Sequence, residues 1–175
     1  ILEIEKININ KLKRTLDDFK NIKVHIIGDT IVDIYQDTVL IGGQTKTPTP
    51  SLAIADQTTY LGGAGVVAKH LKEAGAKVVF TTIVGKDKYA KFVKNELKKN
   101  KITSNLIEDK TRPTTIKKVI LNKSHRLLKL DTVDNSPIND EILIKISNII
   151  KKTKTDIVIF SDFRHGIFSR KTIPN

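Results

Sequence analysis

The apolar positions of this chain change period several times, and each change marks an element. Between residues 3 and 20, Ile4, Ile7, Leu12, Leu16 and Phe19 recur at roughly helical intervals among charged residues, which predicts an amphipathic helix. KVHIIGD (23–29) does not alternate. An apolar run closing on Gly-Asp predicts a buried parallel strand that runs into a loop. Residues 31 to 60 are rich in Thr and β-branched side chains, with Gly42-Gly43, Pro48 and Pro50 as breakers, and predict a few short, exposed strands rather than a core layer.

Helical spacing returns after Gly62-Gly63 at Ala64, Val67, Ala68, Leu71 and Ala74, and Gly75 stands where a helix stop belongs. KVVFTTIVG (77–85) predicts a strand. KDKYAKFVKNELKKNK (86–101) predicts a helix with Ala90, Val93 and Leu97 inward and lysines outward. A strand near 102–107, extended runs at 114–121 and 126–131, a helix at 139–152 and the strand DIVIFSD (156–162) follow. Strands alternating with helices predict a layered α/β fold with a mostly parallel sheet. In such sheets ligands bind beyond the carboxyl ends of the strands, which directs attention to Gly28-Asp29, Gly85 and Ser161-Asp162.

Composition narrows the classes. The chain has 175 residues, 39% hydrophobic and 29% charged, ordinary for a globular domain with a full core. No apolar run nears the roughly 20 residues that span a bilayer, and the opening segment alternates apolar with charged residues, unlike a secretory signal. Without cysteine there is neither a disulfide framework nor a thiolate metal site, so a cytoplasmic location is expected. The net charge of +12 raises nucleic acid as a partner. Only five of the 31 basic residues are arginine (Arg14, Arg112, Arg126, Arg164, Arg170), and the lysines are dispersed. Stacking side chains are few, so no nucleic-acid partner and no membrane partner is expected. Methionine is absent even at position 1, and the chain stops at Ile173-Pro174-Asn175, which reads as a piece of a longer polypeptide.

Chemistry is concentrated at the strand ends. Asp29 and Asp33 follow the first strand, and a carboxylate that accepts from two hydroxyls at once suits the vicinal diols of a sugar. Equally, the same residues can cap a turn. Gly62-Gly63-Ala64-Gly65 at a helix start bares backbone N–H groups for an oxygen ligand, or simply allows close packing. Neither a Walker A loop nor GxGxxG is present, which disfavours a dinucleotide-binding domain. His25, within a strand, and His70, on a helix, lack metal-spaced partners and are read as structural.

The stretch from GDTIVDIYQD through TPTPSLAIADQTTYLGGAGVVAKHL to IVGKD resembles the amino-terminal half of ribokinase-type (PfkB) carbohydrate kinases. Within that family it is most similar to the D-glycero-D-manno-heptose 7-phosphate kinase and ADP-heptose synthase branch. RPTTIKKVIL, RLLKLD and SDFRHG resemble that branch's later runs and its SDYxKG turn, so the likeness extends from about residue 23 to the end. The resemblance implies a truncated ribokinase-like three-layer sandwich. Residues 1–21 would be a helical extension, and residues 22–175 the sugar-binding part, with a small β lid at about 34–60 that pairs two subunits into a homodimer. It implies that Asp33 and Asp29 hold sugar hydroxyls, that Gly62 and Gly63 contact the sugar through their backbone, and that Arg126, Asp162 and Arg164 line the substrate site. ATP and Mg²⁺ are implied as cofactors, and a nucleotidyltransferase domain as a possible fusion partner.

Two departures from the family pattern stand out. Val66 and Val67 replace an Asn that contacts a sugar hydroxyl, and His165 replaces the lysine of the SDYxKG turn. The late GAGD motif, whose Asp is the family's catalytic base, does not occur in these residues, so no catalytic residue is expected in this chain and the base is expected beyond Asn175. Two readings stay open: the sugar-binding half of a sugar or sugar-phosphate kinase, and a degenerate kinase-like module that binds sugar or assembles subunits. An uncovered parallel edge at the last strand predicts poor solubility of the segment alone.

Overall fold

The computed structural model describes residues 8–43, 49–170 and 172. The core is a parallel sheet in the order β5-β4-β1-β8. It comprises β1 (Lys23–Gly28), β4 (Lys77–Val84), β5 (Thr103–Glu108) and β8 (Ile157–Ser161). The buried, non-alternating run of β1 follows from its interior place in the sheet, where both faces are covered. Val24 and Ile26 pack with Val78 and Phe80 in one apolar cluster that also takes in Ala64 and Ala68 of α2 (Ala64–Glu73) and Val93 and Leu97 of α3 (Lys88–Lys99). Ile27 and Ile83 join Ile142 and Ile146 of α4 (Asp140–Lys152) in a second cluster on the opposite face. Helices on both faces make three layers, and the α/β sandwich expected from the sequence is found.

The helices begin where short polar side chains can cap them. Asp87 accepts from the backbone N–H groups of Tyr89 and Ala90, and Asn139 from that of Ile142. Gly75, with φ of +107°, follows the Ala74 cap of α2 in the left-handed conformation that ends helices. The amino-terminal helix α1 (Ile9–Asp18) starts later than its periodicity suggests, because Asn8 caps it by accepting from Lys11 N–H at 2.7 Å. Residues 3–7 of the expected helix lie outside the described residues. Its apolar residues Ile9, Leu12 and Leu16 stay exposed, and only Phe19, in the following 3-10 turn, packs on the core.

The segment 31–60 corrects the sequence reading. It forms most of two long antiparallel strands, β2 (Thr30–Gly43) and β3 (Pro50–Gly63), rather than several short ones. Gly42 lies inside the ladder, Gly43 ends β2, and Pro50 opposite it occupies the first position of β3, where no ladder donor is needed. Pro48 lies outside the described residues. The root of β2 is also core: Val32 and Ile34 are buried with Leu61 of β3 in the cluster on the α2 side. Register shifts at Asp37/Thr38 and Leu40/Gly42 bend the hairpin. β6 (Ile116–Asn122) pairs parallel to β2, and β7 (His125–Thr132) antiparallel to β6, so the second sheet runs β3-β2-β6-β7.

Candidate functional site

The second sheet displays its polar side chains by strand parity. Val32, Ile34 and Gln36 are buried, so Asp33, Tyr35 and Asp37 point to the other face. Register then fixes their neighbours: Tyr60 on β3, Lys117 on β6 and Asp131 on β7 form one row with Asp33. Lys117 Nζ lies 3.5 Å and Lys129 Nζ 3.8 Å from Asp131 Oδ2. Two lysines therefore share one carboxylate, which leaves positive charge beside Asp33. Burial pushes the Asp33 carboxyl above the ordinary range; Lys117 and Lys129 pull it back in part, and Asp131 adds to the rise.

Asp33 lies across Gly62, where any added Cβ would collide with its Oδ2. Gly63, at φ +58°, opens α2, and a Cβ there would strike the Asp29 carbonyl. The acidic side chain and the glycine turn thus meet, which sequence spacing alone could not establish. No side chain caps this first turn of α2; the Ala64 N–H donates to the Asp29 carbonyl at 2.9 Å.

Open clefts flank Asp33 on both sides. One, of about 560 Å³, is walled by Tyr35, Tyr60, Leu61, Val66 and Lys69; the other, of about 320 Å³, by Lys117, Val119, Arg126 and Lys129. Tyr35 and Tyr60 meet edge to face at 5.8 Å. Of the two valines noted in the sequence, Val66 lines the cleft, 37% exposed, and Val67 turns to the core. A third cavity, of about 330 Å³ between α4 and β8, reaches Asp162 but not Asp33. Its Ile, Leu and Phe walls suit packing better than a polyol.

Asp29 sits elsewhere than expected. It is 2% exposed, and instead of facing the cleft beside Asp33 its carboxylate accepts from three backbone N–H groups of the turn after β8. Phe163 and His165 donate to Oδ2 at 2.9 and 3.2 Å, and Ile167 to Oδ1 at 3.4 Å. The turn-capping alternative describes it. Within this turn Asp162 Oδ1 accepts from Arg164 N–H at 2.7 Å, and both side chains are exposed. Arg164 makes no ion pair among the described residues. The His165 ring meets Asn135 Oδ1 at 2.8 Å. Burial and then Lys117 hold the imidazole below its ordinary range, against the opposing pull of Asp29, Asp131 and Asp162. The turn therefore shares an electrostatic environment with the second sheet. Arg126 stands apart, paired with Leu121 two ladder positions beyond Val119, at the far end of the cleft from the Asp33 row.

Lys117, Tyr35 and Tyr60 escaped the sequence reading. Parity within IKKVILN groups Lys117 with Val119 and Leu121, but only the parallel register with β2 sets that group beside Asp33. Gly85 and Asp87, from the third strand end, prove to be joinery. Asp87 Oδ2 accepts from Thr114 N–H at 2.8 Å, and Gly85 N–H donates to Thr114 Oγ1 at 2.9 Å. His25 is buried with Nε2 2.8 Å from Thr81 Oγ1, and His70 is exposed. No group of three or more His, Asp or Glu that could hold a metal occurs among the described residues. No helix among them is long and apolar enough to cross a membrane.

Comparison with known proteins bears on the family and the fold. A family model described as "pfkB family carbohydrate kinase" matches residues 21–161. The bifunctional protein HldE of Helicobacter acinonychis is 31% identical over 152 residues, covering 85% of this chain and 33% of that protein. The bifunctional protein HldE of Caulobacter vibrioides is 28% identical over 147 residues, covering 83% and 30%. The chain thus spans about a third of these relatives. Among solved structures, ribokinase from Giardia lamblia superposes with a TM-score of 0.58 at 15% identity, covering 87% of this chain and 47% of that one. Phosphofructokinase-2 from Escherichia coli, in complex with fructose-6-phosphate, gives 0.58 at 12% identity, covering 80% and 45%. At these identities the structural likeness speaks for the fold alone.

Proposed function

Because the chain belongs to the pfkB family of carbohydrate kinases, we propose that it supplies the sugar-binding part of an ATP-dependent kinase that phosphorylates a hydroxyl of a sugar or sugar phosphate, of the heptose-phosphate kind. The observation that carries this reading is the half-buried Asp33 carboxylate lying over the bare backbone of Gly62, with Lys117 beside it. A desolvated carboxylate gains by accepting from vicinal hydroxyls. Gly62 and Gly63 allow the sugar ring to approach the backbone. Arg126, Lys129 and Arg164 are cations at the margins, suited to a phosphate on the acceptor, and Asp162 adds an exposed acceptor near the turn.

ATP supplies the phosphoryl group in this reading, accompanied by Mg²⁺; the residues named here act on the acceptor. The family's GAGD motif does not occur in these 175 residues, so in this reading they bind the sugar and supply no catalytic base. A homodimer formed through the β2–β3 hairpin as a lid, and a fused nucleotidyltransferase domain, belong to the same proposal. Calorimetry with a sugar phosphate tests it: Asp33→Ala is expected to weaken binding about tenfold or more, roughly 1.4 kcal/mol. Unchanged affinity in a folded variant sinks the assignment.

A second reading, a degenerate kinase-like module, is favoured by Val66, an apolar side chain on the cleft wall that can neither donate nor accept. The coding sequence beyond Asn175 decides between the two. A continuation bearing GAGD supports the kinase, whereas an immediate stop supports the module.

A further inference from the structure

We propose that Asp29 is a positioning residue, whose buried carboxylate builds the turn after β8 and thereby sets His165 toward Lys117 and Asp131 of the second sheet. Its functional half rests on the kinase reading above; its structural half does not. The backbone of Asp29 already joins three elements. Its N–H donates to the Ser161 carbonyl at the end of β8, at 3.3 Å, and its carbonyl accepts from Ala64 at the start of α2, at 2.9 Å. The side chain adds the three turn N–H groups, from residues 134 to 138 positions later in the chain.

Within that turn only the Asp162–Arg164 bond is described, and the backbone around it is strained. Arg164 has φ of +63°, which costs a non-glycine residue about 1 kcal/mol or more. Gly166 has φ of +95° and is pressed against the Ser136 carbonyl. Converging N–H groups require an acceptor, and an ionised carboxylate is the one side chain with only acceptors on both oxygens. An Asn of the same shape would turn an NH₂ toward one set of donors, leaving a buried polar clash. The consequence reaches the second sheet through His165. Its N–H is one of the three donors, and its ring feels Lys117 and Asp131 of the second sheet.

Asp29→Asn in the full chain tests this. Amide hydrogen exchange at Phe163, His165 and Ile167 is expected to accelerate about tenfold or more, with Ile26 and Ile27 in β1 unchanged. Sugar phosphate affinity is expected to fall about tenfold. The part of its pH dependence between about pH 5.5 and 7.5 that differs from His165→Gln should vanish. Unchanged exchange overturns the structural half. Faster exchange with unchanged affinity overturns the positioning role. If the unaltered chain binds no sugar phosphate, the kinase reading fails, and the exchange measurement still decides what Asp29 builds. Should Asp29→Asn unfold, Gly166→Ala distorts the same turn while leaving Asp29 intact, and unchanged affinity there also overturns the proposal.

Discussion

At Asp87 one carboxylate serves two elements. Oδ1 caps α3 by accepting from Tyr89 and Ala90, and both oxygens anchor Thr114, ahead of β6. Burial pushes this carboxyl up, but the bonds from Thr114, Ala90 and Tyr89 outweigh it and hold the group below its ordinary range. Asp87→Ala removes a cap and strands the Thr114 N–H, so a loss of about 1–3 kcal/mol is expected in urea unfolding, with Asp33-dependent binding retained. His25 sets the response to mild acid. It is fully buried, its Nδ1 has no protein partner, and burial holds its pKa below the ordinary 6.5. The unfolded chain therefore takes up the proton more readily. The contribution of His25 is complete above its unfolded pKa of about 6.5 and declines as pH falls toward the depressed folded value. His165 acts in the same direction. Urea midpoints should fall between about pH 7.5 and pH 5.5, and fall less in His25→Gln. The lowered carboxyls of Asp87 and Asp109 do not enter this window, since their contributions are lost only below the ordinary carboxylate range.

Among the elements, the hairpin of β2 and β3 exposes Val39, Leu40, Ile41 and Ile54 in its outer part. Leu40 and Ile54 share a face, since Thr38 pairs with Ile54 and Leu40 with Leu52. If the hairpin joins two subunits, the double substitution Leu40→Lys, Ile54→Lys lowers the mass measured by light scattering to that of one chain; unaltered mass places the contact elsewhere. The elements differ in how legible they were in sequence. α2, α3 and α4 carry helical spacing and their own stop or cap residues, so they could be read to within a few positions. The hairpin could not: Gly43 and Pro50 do bound its strands, but nothing in the Thr-rich runs between them and the core says that each is one long, bent strand rather than several short ones. The meeting of Asp33 with Gly62 followed from family resemblance, whereas Lys117 depended on a parallel register that no local pattern encodes. Asp29 was misplaced for a related reason: a strand end marks where a side chain emerges, not which N–H groups it will find.

At the scale of the whole molecule, the parallel sheet has an uncovered side. β8 is an edge strand among the described residues, and Ile157, Val158 and Phe160 (62% exposed) lie along it. Phe160 meets Phe168 edge to face at 5.6 Å beside the apolar cavity under α4. Such an edge invites pairing between chains. The 19.6 kDa chain is therefore expected to self-associate on its own, as sedimentation would show; a monodisperse monomer at high concentration would contradict this.

Of the described strands of this sheet, β1 is the first to be made, and one of its two neighbours, β8, is the last. Lys23 N–H bonds to Asp156, 133 residues later, just before β8 completes the pairing. At about 5–20 residues per second, a ribosome needs on the order of ten seconds to cover that distance. Throughout that interval one flank of β1 offers its unpaired amides to any passing strand, so a nascent-chain chaperone acting early in translation should raise the yield of folded protein more than one added after release.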